Sequence, residues 1–106
     1  MMIIYAMLDF DRLVGFDWDA GNARKSVDKH AVSQNEAEEV FGNEPLLLLV
    51  DPGHSQSEPR YHALGRSDGG RLLHVTFTVR GKGSLIRVIS ARPMSRRERQ
   101  RYDEEA

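Results

Sequence analysis

The chain of 106 residues has the length of one compact domain, and its 40% apolar and 29% charged residues are ordinary for a globular protein. It contains no cysteine, which excludes disulfides, thiolate nucleophiles and cysteine-ligated zinc and suits a reducing, cytoplasmic location. The apolar start MMIIYAML reaches Asp9 too soon for a membrane span and lacks the charge order of a signal peptide. We therefore expect a single domain over residues 1–106.

The two halves of the chain carry opposite charge. Residues 1–58 contain 4 Lys and Arg against 11 Asp and Glu, whereas residues 59–106 contain 11 against 5. All but one of the basic residues in the second half are arginines, whose planar fork binds phosphate oxygens two at a time. The pattern indicates a polyanionic partner, either nucleic acid or an acidic protein, and the alternative is a charged face that only meets solvent.

Two helices are predicted in the first half. The first begins at about Asp19, and the second begins at Ser33, which forms a capping box with Glu36, and ends at Gly42. The first helix has an apolar stripe at helical spacing, made of Ala20, Ala23, Val27 and Ala31.

Four strands are predicted to follow. PLLLLVD is a continuous apolar run of strand length, and further strands cover about residues 60–66, 71–80 and 85–92, joined by the short glycine-bearing turns SDGG and GKG. The last three therefore form an antiparallel meander. The strand over 71–80 alternates cleanly, with Leu73, Val75, Phe77 and Val79 on one face and His74, Thr76, Thr78 and Arg80 on the other.

A closing helix is predicted from Ser95, which forms a second capping box with Glu98. Arg96 and Arg97 then occupy its first turn, where the helix dipole disfavours cations by a few tenths to about 1 kcal/mol each. With Arg92 they are expected to form an anion site suited to a phosphate. The predicted fold is α+β, with two N-terminal helices, a four-stranded antiparallel sheet and a C-terminal helix, and with the helices packed on one face of the sheet.

The motifs of residues 16–105 resemble one known family. The most specific are the F-x-W-D start at Phe16, the pair Lys29-His30, the block EPRYHALGR and the segment RVISARPMSRRER. Together they resemble the BrnT toxins of bacterial type II toxin-antitoxin pairs, and they leave residues 1–11 as an N-terminal extension. Ala31 departs from the family pattern, because glycine usually follows Lys-His.

The resemblance implies a RelE-like fold and a ribonuclease activity. It also implies a BrnA-like antitoxin that binds DNA, covers the toxin and lets the complex repress its own operon. Cleavage of RNA by its own 2′-OH needs a base, an acid and cations beside the phosphate, so neither metal nor other cofactor is expected. The acid-base candidates are His30, Glu58, His62 and His74, with Glu58 favoured.

Arginines are expected to stabilise the charge of the phosphate. Arg60, Arg80 and Arg92 lie at strand ends and would converge if the strands pair in order, whereas Arg87 in mid-strand suits an interior ion pair. The predicted catalytic residues are Glu58, Arg60, His30, Arg80 and Arg92, and the predicted RNA-binding residues are Lys29, Trp18, His74, Arg96 and Arg97.

Several plainer interpretations stay open. His30 suits a packed histidine, the single tryptophan, Trp18, suits the core, and Glu58 suits a solvated loop. His54, Glu58 and His62 together match no established metal-ligand spacing. The competing function is a non-catalytic module whose basic surface binds nucleic acid or an acidic protein.

Overall fold

The structure is a computed structural model that describes residues 2–3, 13–23, 30–51, 53 and 58–106. Residues 20–23 and residue 30 are helical, and most of the predicted first helix between them lies outside the described residues. None of the helices in the described ranges is long and apolar enough to cross a membrane. The elements are β1 (Met2–Ile3), β2 (Gly15–Phe16), α1 (Gln34–Gly42), β3 (Leu47–Asp51), β4 (Arg60–Arg66), β5 (Leu72–Arg80), β6 (Leu85–Pro93) and α2 (Arg96–Glu105).

The strands form one mixed sheet in the order β1-β3-β4-β5-β6-β2. The four predicted strands are present and pair antiparallel in sequence order. The prediction of only four strands is wrong, because a two-residue strand is added at each edge: β1 runs antiparallel to β3, and β2 runs parallel to β6. Met2 and Ile3, within the predicted extension, thus pair with the sheet.

The predicted starts of α1 and α2 and the predicted end of α1 are confirmed. Ser33 caps α1 by accepting a hydrogen bond from the Glu36 amide, 3.0 Å away, and α1 ends at Gly42. Ser95 caps α2 in a complete capping box, in which the Glu98 amide donates to Ser95 Oγ and the Ser95 amide donates to Glu98 Oε1. These boundaries depend on contacts three residues apart, which is why the sequence alone reveals them.

One face of the sheet packs against α1 and forms the larger core. Phe77 lies at its centre with edge-on contacts to Phe41, and Val40 of α1 is fully buried. The predicted alternation of β5 is confirmed, since the apolar residues of this strand belong to the core on the α1 side. They are Leu73, Val75, Phe77 and Val79.

Helix α2 packs on the opposite face, so the prediction that the helices share one face is wrong. Tyr102 of α2 is buried with Leu47 and Leu64, whose neighbours along the strands, Leu48 and Ala63, belong to the core on the α1 side. Since successive strand residues point to opposite faces, the two helices lie on opposite sides of the sheet. The physical reason is the apolar run of β3, which needs burial on both faces.

Candidate active site

Helix α2 covers the leucine-rich part of its face of the sheet, and polar side chains occupy the rest of that face. The face continues across β4, β5 and β6 because His62 pairs with Thr76 and His74 pairs with Arg92 in the strand register. A β-bulge between Thr76 and Phe77 changes the register of β6 before it reaches Arg92. We call this the polar sheet face, and it comprises Arg60, His62, His74, Thr76, Thr78, Ser90 and Arg92.

A line of hydrogen-bonding contacts runs across the polar sheet face. Asp51 Oδ2 lies 3.0 Å from His62 Nε2, and His62 Nδ1 lies 2.7 Å from His74 Nε2. His74 Nδ1 lies 2.6 Å from Glu98 Oε2, at the start of α2. Thr76 Oγ1 is 3.0 Å from His62 Nδ1. Three strands and a helix thus bring four ionisable groups into one network.

Glu98 links this network to Arg92. The guanidinium donates two hydrogen bonds, from Nη1 to Oε1 and from Nη2 to Oε2, both at 2.8 Å. Burial by itself raises the pKa of Glu98, but the hydrogen bonds from Arg92 and the Ser95 amide, together with His74, outweigh it and hold the pKa at about 2. Glu98 is therefore a carboxylate, and the Arg92 side chain stays 37% exposed beside it.

The protonation of His74 follows from its neighbours. Arg92 Nη2 lies 2.9 Å from His74 Nδ1, yet both nitrogens also lie within hydrogen-bond distance of Glu98 Oε2. Arginine can only donate, so Arg92 Nη2 donates to Glu98 Oε2. If His74 Nδ1 also carries a proton, it donates to the same oxygen, and neither nitrogen needs to accept from the other. Burial is the main cause that lowers the pKa of His74, and it outweighs the attraction of Glu98. His74 is thus favoured as a neutral ring with its proton on Nδ1.

Glu58 and Arg80 form a separate pair at the far end of the polar sheet face. Arg80 Nε lies 2.7 Å from Glu58 Oε2, and the two side chains are 43% and 47% exposed. Arg80 ends β5, six residues beyond His74, which at about 3.3 Å per residue is roughly 20 Å along the strand. Glu58 therefore lies at the opposite end of these strands from His74 and Arg92.

The expected convergence of three arginines is wrong for Arg80 and Arg92. Arg80 is in register with Leu85 beside the turn, whereas Arg92 is in register with His74 near the other end of the same pair of strands. Both arginines do lie at strand ends, but β5 and β6 form a hairpin, and in a hairpin the end of one strand and the end of the next lie at opposite ends of the pair. Arg60 lies between them, in register with Asp51.

The remaining predicted site residues lie elsewhere. Trp18 packs against the core on the α1 side, and its Nε1 donates a hydrogen bond of 2.7 Å to Glu38 Oε2. His30 is half-buried just before Ala31, and Lys29 and His54 lie outside the described residues. The role of Trp18 and Lys29 in RNA binding and that of His30 in catalysis stay predictions.

Arg96 and Arg97 occupy the first turn of α2, as predicted, and both are exposed. They are close in sequence to Arg92 and Glu98. Arg87 forms an ion pair, with Nη2 at 2.8 Å from Asp19 Oδ2, but the prediction that this pair is interior is wrong, because the Asp19 side chain is 56% exposed. Within the described ranges, no group of three or more metal-binding side chains has the arrangement of a metal site.

Sequence reasoning missed Asp51 and Glu98 as members of the site. The sequence predicts Asp51 only as the end of a strand and Glu98 only as a capping residue, and His62 is an acid-base candidate that is absent from the predicted catalytic residues. One signal was available, because His62 lies two residues from Arg60 and therefore shares its strand face. The partner strands, which bring these residues together, were not readable from local pattern.

The comparisons with known proteins agree with the resemblance. A family model described as "Ribonuclease toxin, BrnT, of type II toxin-antitoxin system" matches residues 18–98. The crystal structure of the Brucella abortus ribonuclease toxin BrnT is similar in fold, with a TM-score of 0.56 and 22% identity over 78% of this chain and 99% of that one. A search of curated proteins gave no match. Because the family model covers most of the chain, the protein belongs to the BrnT family of ribonuclease toxins of type II toxin-antitoxin systems.

Proposed function

We propose that this toxin is a metal-independent endoribonuclease that acts in the cytoplasm and is neutralised by a BrnA-like ribbon-helix-helix antitoxin. The complex would bind operator DNA only through the antitoxin, and the toxin would have a RelE-like fold that cleaves RNA. Support comes from the family membership and from the basic second half of the chain. The polar sheet face would supply the groups that cleave.

One observation carries the proposal: two histidines in mutual contact lie beside a partly exposed arginine at the N-terminal end of a helix. The His62–His74 contact of 2.7 Å and the Arg92–His74 contact of 2.9 Å bring acid-base groups next to a cation. Arg92 would hold a phosphate oxygen, and the positive end of α2 would add to its attraction.

The reaction we propose is attack of the ribose 2′-OH on its own phosphate. The 2′-oxygen forms a bond to phosphorus and loses its proton to a base, while the bond from phosphorus to the 5′-oxygen breaks and that oxygen gains a proton from an acid. The His62–His74 pair is our candidate for the acid, and Arg92, Arg96 and Arg97 would stabilise the negative charge on the phosphate.

The direct test is RNA cleavage by the purified chain in excess EDTA. We expect fragments that end in a 2′,3′-cyclic phosphate or a 3′-phosphate, identified by end-labelling and mass spectrometry. Intact RNA at a large excess of protein would contradict the proposal. If that protein still bound RNA, the competing function, a non-catalytic binding module, would be supported.

Glu58 remains the acid-base candidate predicted from the sequence, and a paired comparison separates it from the histidines. Glu58→Gln keeps the size of the side chain but removes its proton exchange, so a catalytic role predicts cleavage at least about tenfold slower with unchanged folding. An equally active Glu58→Gln variant would leave the acid-base role to the histidines. His30→Ala, tested with a melting curve, separates catalysis from packing, because loss of stability indicates packing and loss of activity alone indicates catalysis.

A further inference from the structure

The line of contacts from Asp51 to Glu98 indicates how many protons it holds. It consists of three hydrogen-bonding contacts in a row: carboxylate to ring, ring to ring, and ring to carboxylate, at 3.0, 2.7 and 2.6 Å. A contact between a carboxylate and a ring nitrogen needs a proton on that nitrogen. The ring-to-ring contact needs one proton, because none leaves two lone pairs facing each other and two bring N–H groups into collision.

The count is therefore three protons on four ring nitrogens. Two neutral imidazoles carry only two protons, so the pair carries one in excess and a charge of +1. The charged groups around the pair are the carboxylates of Asp51 and Glu98 and the guanidinium groups of Arg92 and of Arg60, which is in register with Asp51. Their charges balance, so the proton count rests on the three contacts alone.

We propose that His62 and His74 share one excess proton at neutral pH, and that Asp51 and Glu98 are positioning residues that keep it there. This rests on the proposed function, in which the pair is the acid. With RNA bound, the His62 N–H that faces Asp51 in the free protein would face the 5′-oxygen instead and give it the proton as its bond to phosphorus breaks. The pair would regain a proton from water before the next cleavage.

The contacts assign two of the three protons directly, because His62 Nε2 faces Asp51 and His74 Nδ1 faces Glu98. The third proton lies between His62 Nδ1 and His74 Nε2. Burial lowers the pKa of His74, which favours His62 Nδ1 as the donor in this contact, and Thr76 Oγ1, 3.0 Å from the same nitrogen, can accept from it as well.

A pH titration of the free protein by nuclear magnetic resonance tests the proposal without RNA. The ring nitrogen and carbon shifts of His62 and His74 report how many protons each ring holds. We expect one excess proton on the pair at pH 7, mainly on His62, and a coupled change of both rings as it is lost at higher pH. Two neutral rings at pH 7, or two rings that titrate independently, would overturn the proposal.

Variants at both ends of the line extend the test. Asp51→Asn and Glu98→Gln remove one negative charge each, so each is expected to lower the proton affinity of the pair about tenfold or more. The matched control is Glu104→Gln, because Glu104 is an exposed carboxylate on the same helix whose contact in the structure is with Gln100. Equal proton affinity in the wild type and both variants would contradict the positioning role. Should a variant fail to fold, the wild-type titration still decides the proton count.

The same variants connect the proton to catalysis. If the pair is the acid, cleavage by the wild type falls as the pH rises through loss of the shared proton, and Asp51→Asn moves this fall to lower pH. A shared proton in a protein that does not cleave RNA would refute only the proposed function. Cleavage by a protein whose two rings are neutral would refute only this inference.

Discussion

Replacing Glu98 with glutamine is expected to lower the free energy of unfolding by about 2 kcal/mol at pH 7. The carboxylate accepts hydrogen bonds from Arg92, His74 and the Ser95 amide. Glutamine keeps one acceptor oxygen but turns an NH2 group towards donors, and charge-assisted hydrogen bonds contribute about 1.5 to 3 kcal/mol. The side chain is 19% exposed, and screening by solvent places the loss in the lower part of that range. For a domain of this size the melting temperature would fall by roughly 8 to 16 °C.

The pH dependence makes this prediction specific to charge. Because the pKa of Glu98 is about 2 in the folded state against an ordinary 4.5, its ionisation stabilises the fold above pH 4.5, and this contribution is lost as the pH falls towards 2. The difference between wild type and Glu98→Gln should therefore shrink to less than about half its neutral value by pH 3.

Urea unfolding of both proteins at pH 7 and pH 3, followed by circular dichroism, measures this difference. Glu104→Gln serves as the control, and we expect it to change stability by less than about 0.5 kcal/mol, as is usual for an exposed position. A Glu98→Gln penalty that is equally large at both pH values would refute the electrostatic reasoning and leave only a loss of packing.

Three further predictions concern the helix starts and the core. Ala31 has a φ of 53°, in the left-handed region, so Ala31→Gly should raise the free energy of unfolding by about 0.5 to 1 kcal/mol, and a lower melting temperature would contradict this. Gly65→Ala should cost about 1 to 3 kcal/mol, because its Cβ would lie 2.9 Å from Val40 Cγ1; an unchanged urea midpoint would contradict it. The double variant Arg96→Ala and Arg97→Ala should hold or slightly raise the melting temperature, yet weaken RNA binding and reduce the slope of log affinity against log salt by roughly 0.7 per lost contact. A lower melting temperature with an unchanged salt slope would instead make these arginines structural.

The sequence was most informative where structure depends on near neighbours. The capping residues Ser33 and Ser95 and the alternation along β5 act over two to four residues, and the structure confirms each of them. The stretch that begins at Phe16 suggested a short strand or turn before the first helix, but its place in the sheet was not predicted, and the strand at Met2 was missed. Both strands pair with residues far along the chain, and two residues carry no periodicity. The continuous apolar run of β3 is typical of a strand buried on both faces, and the prediction that the helices share one face did not use this signal.

The candidate site was harder to predict than the fold because it depends on register. His62 and His74 are twelve residues apart, and they meet only because β4 and β5 pair with His62 opposite Thr76. Glu98 reaches the same point because α2 begins just after β6 ends. Family resemblance did not identify this network either, since it favoured Glu58, which pairs with Arg80.

The most direct test of the central claim, that the polar sheet face cleaves RNA, is the single-turnover cleavage rate of His62→Gln in EDTA beside the wild type. Glu104→Gln is the control, because Glu104 is an exposed residue near the end of α2 to which no role in RNA binding or catalysis is assigned. We predict that His62→Gln cleaves at least about a hundredfold more slowly, as expected for loss of an acid-base group, with RNA binding retained. Cleavage by folded His62→Gln within twofold of the wild-type rate would contradict the account.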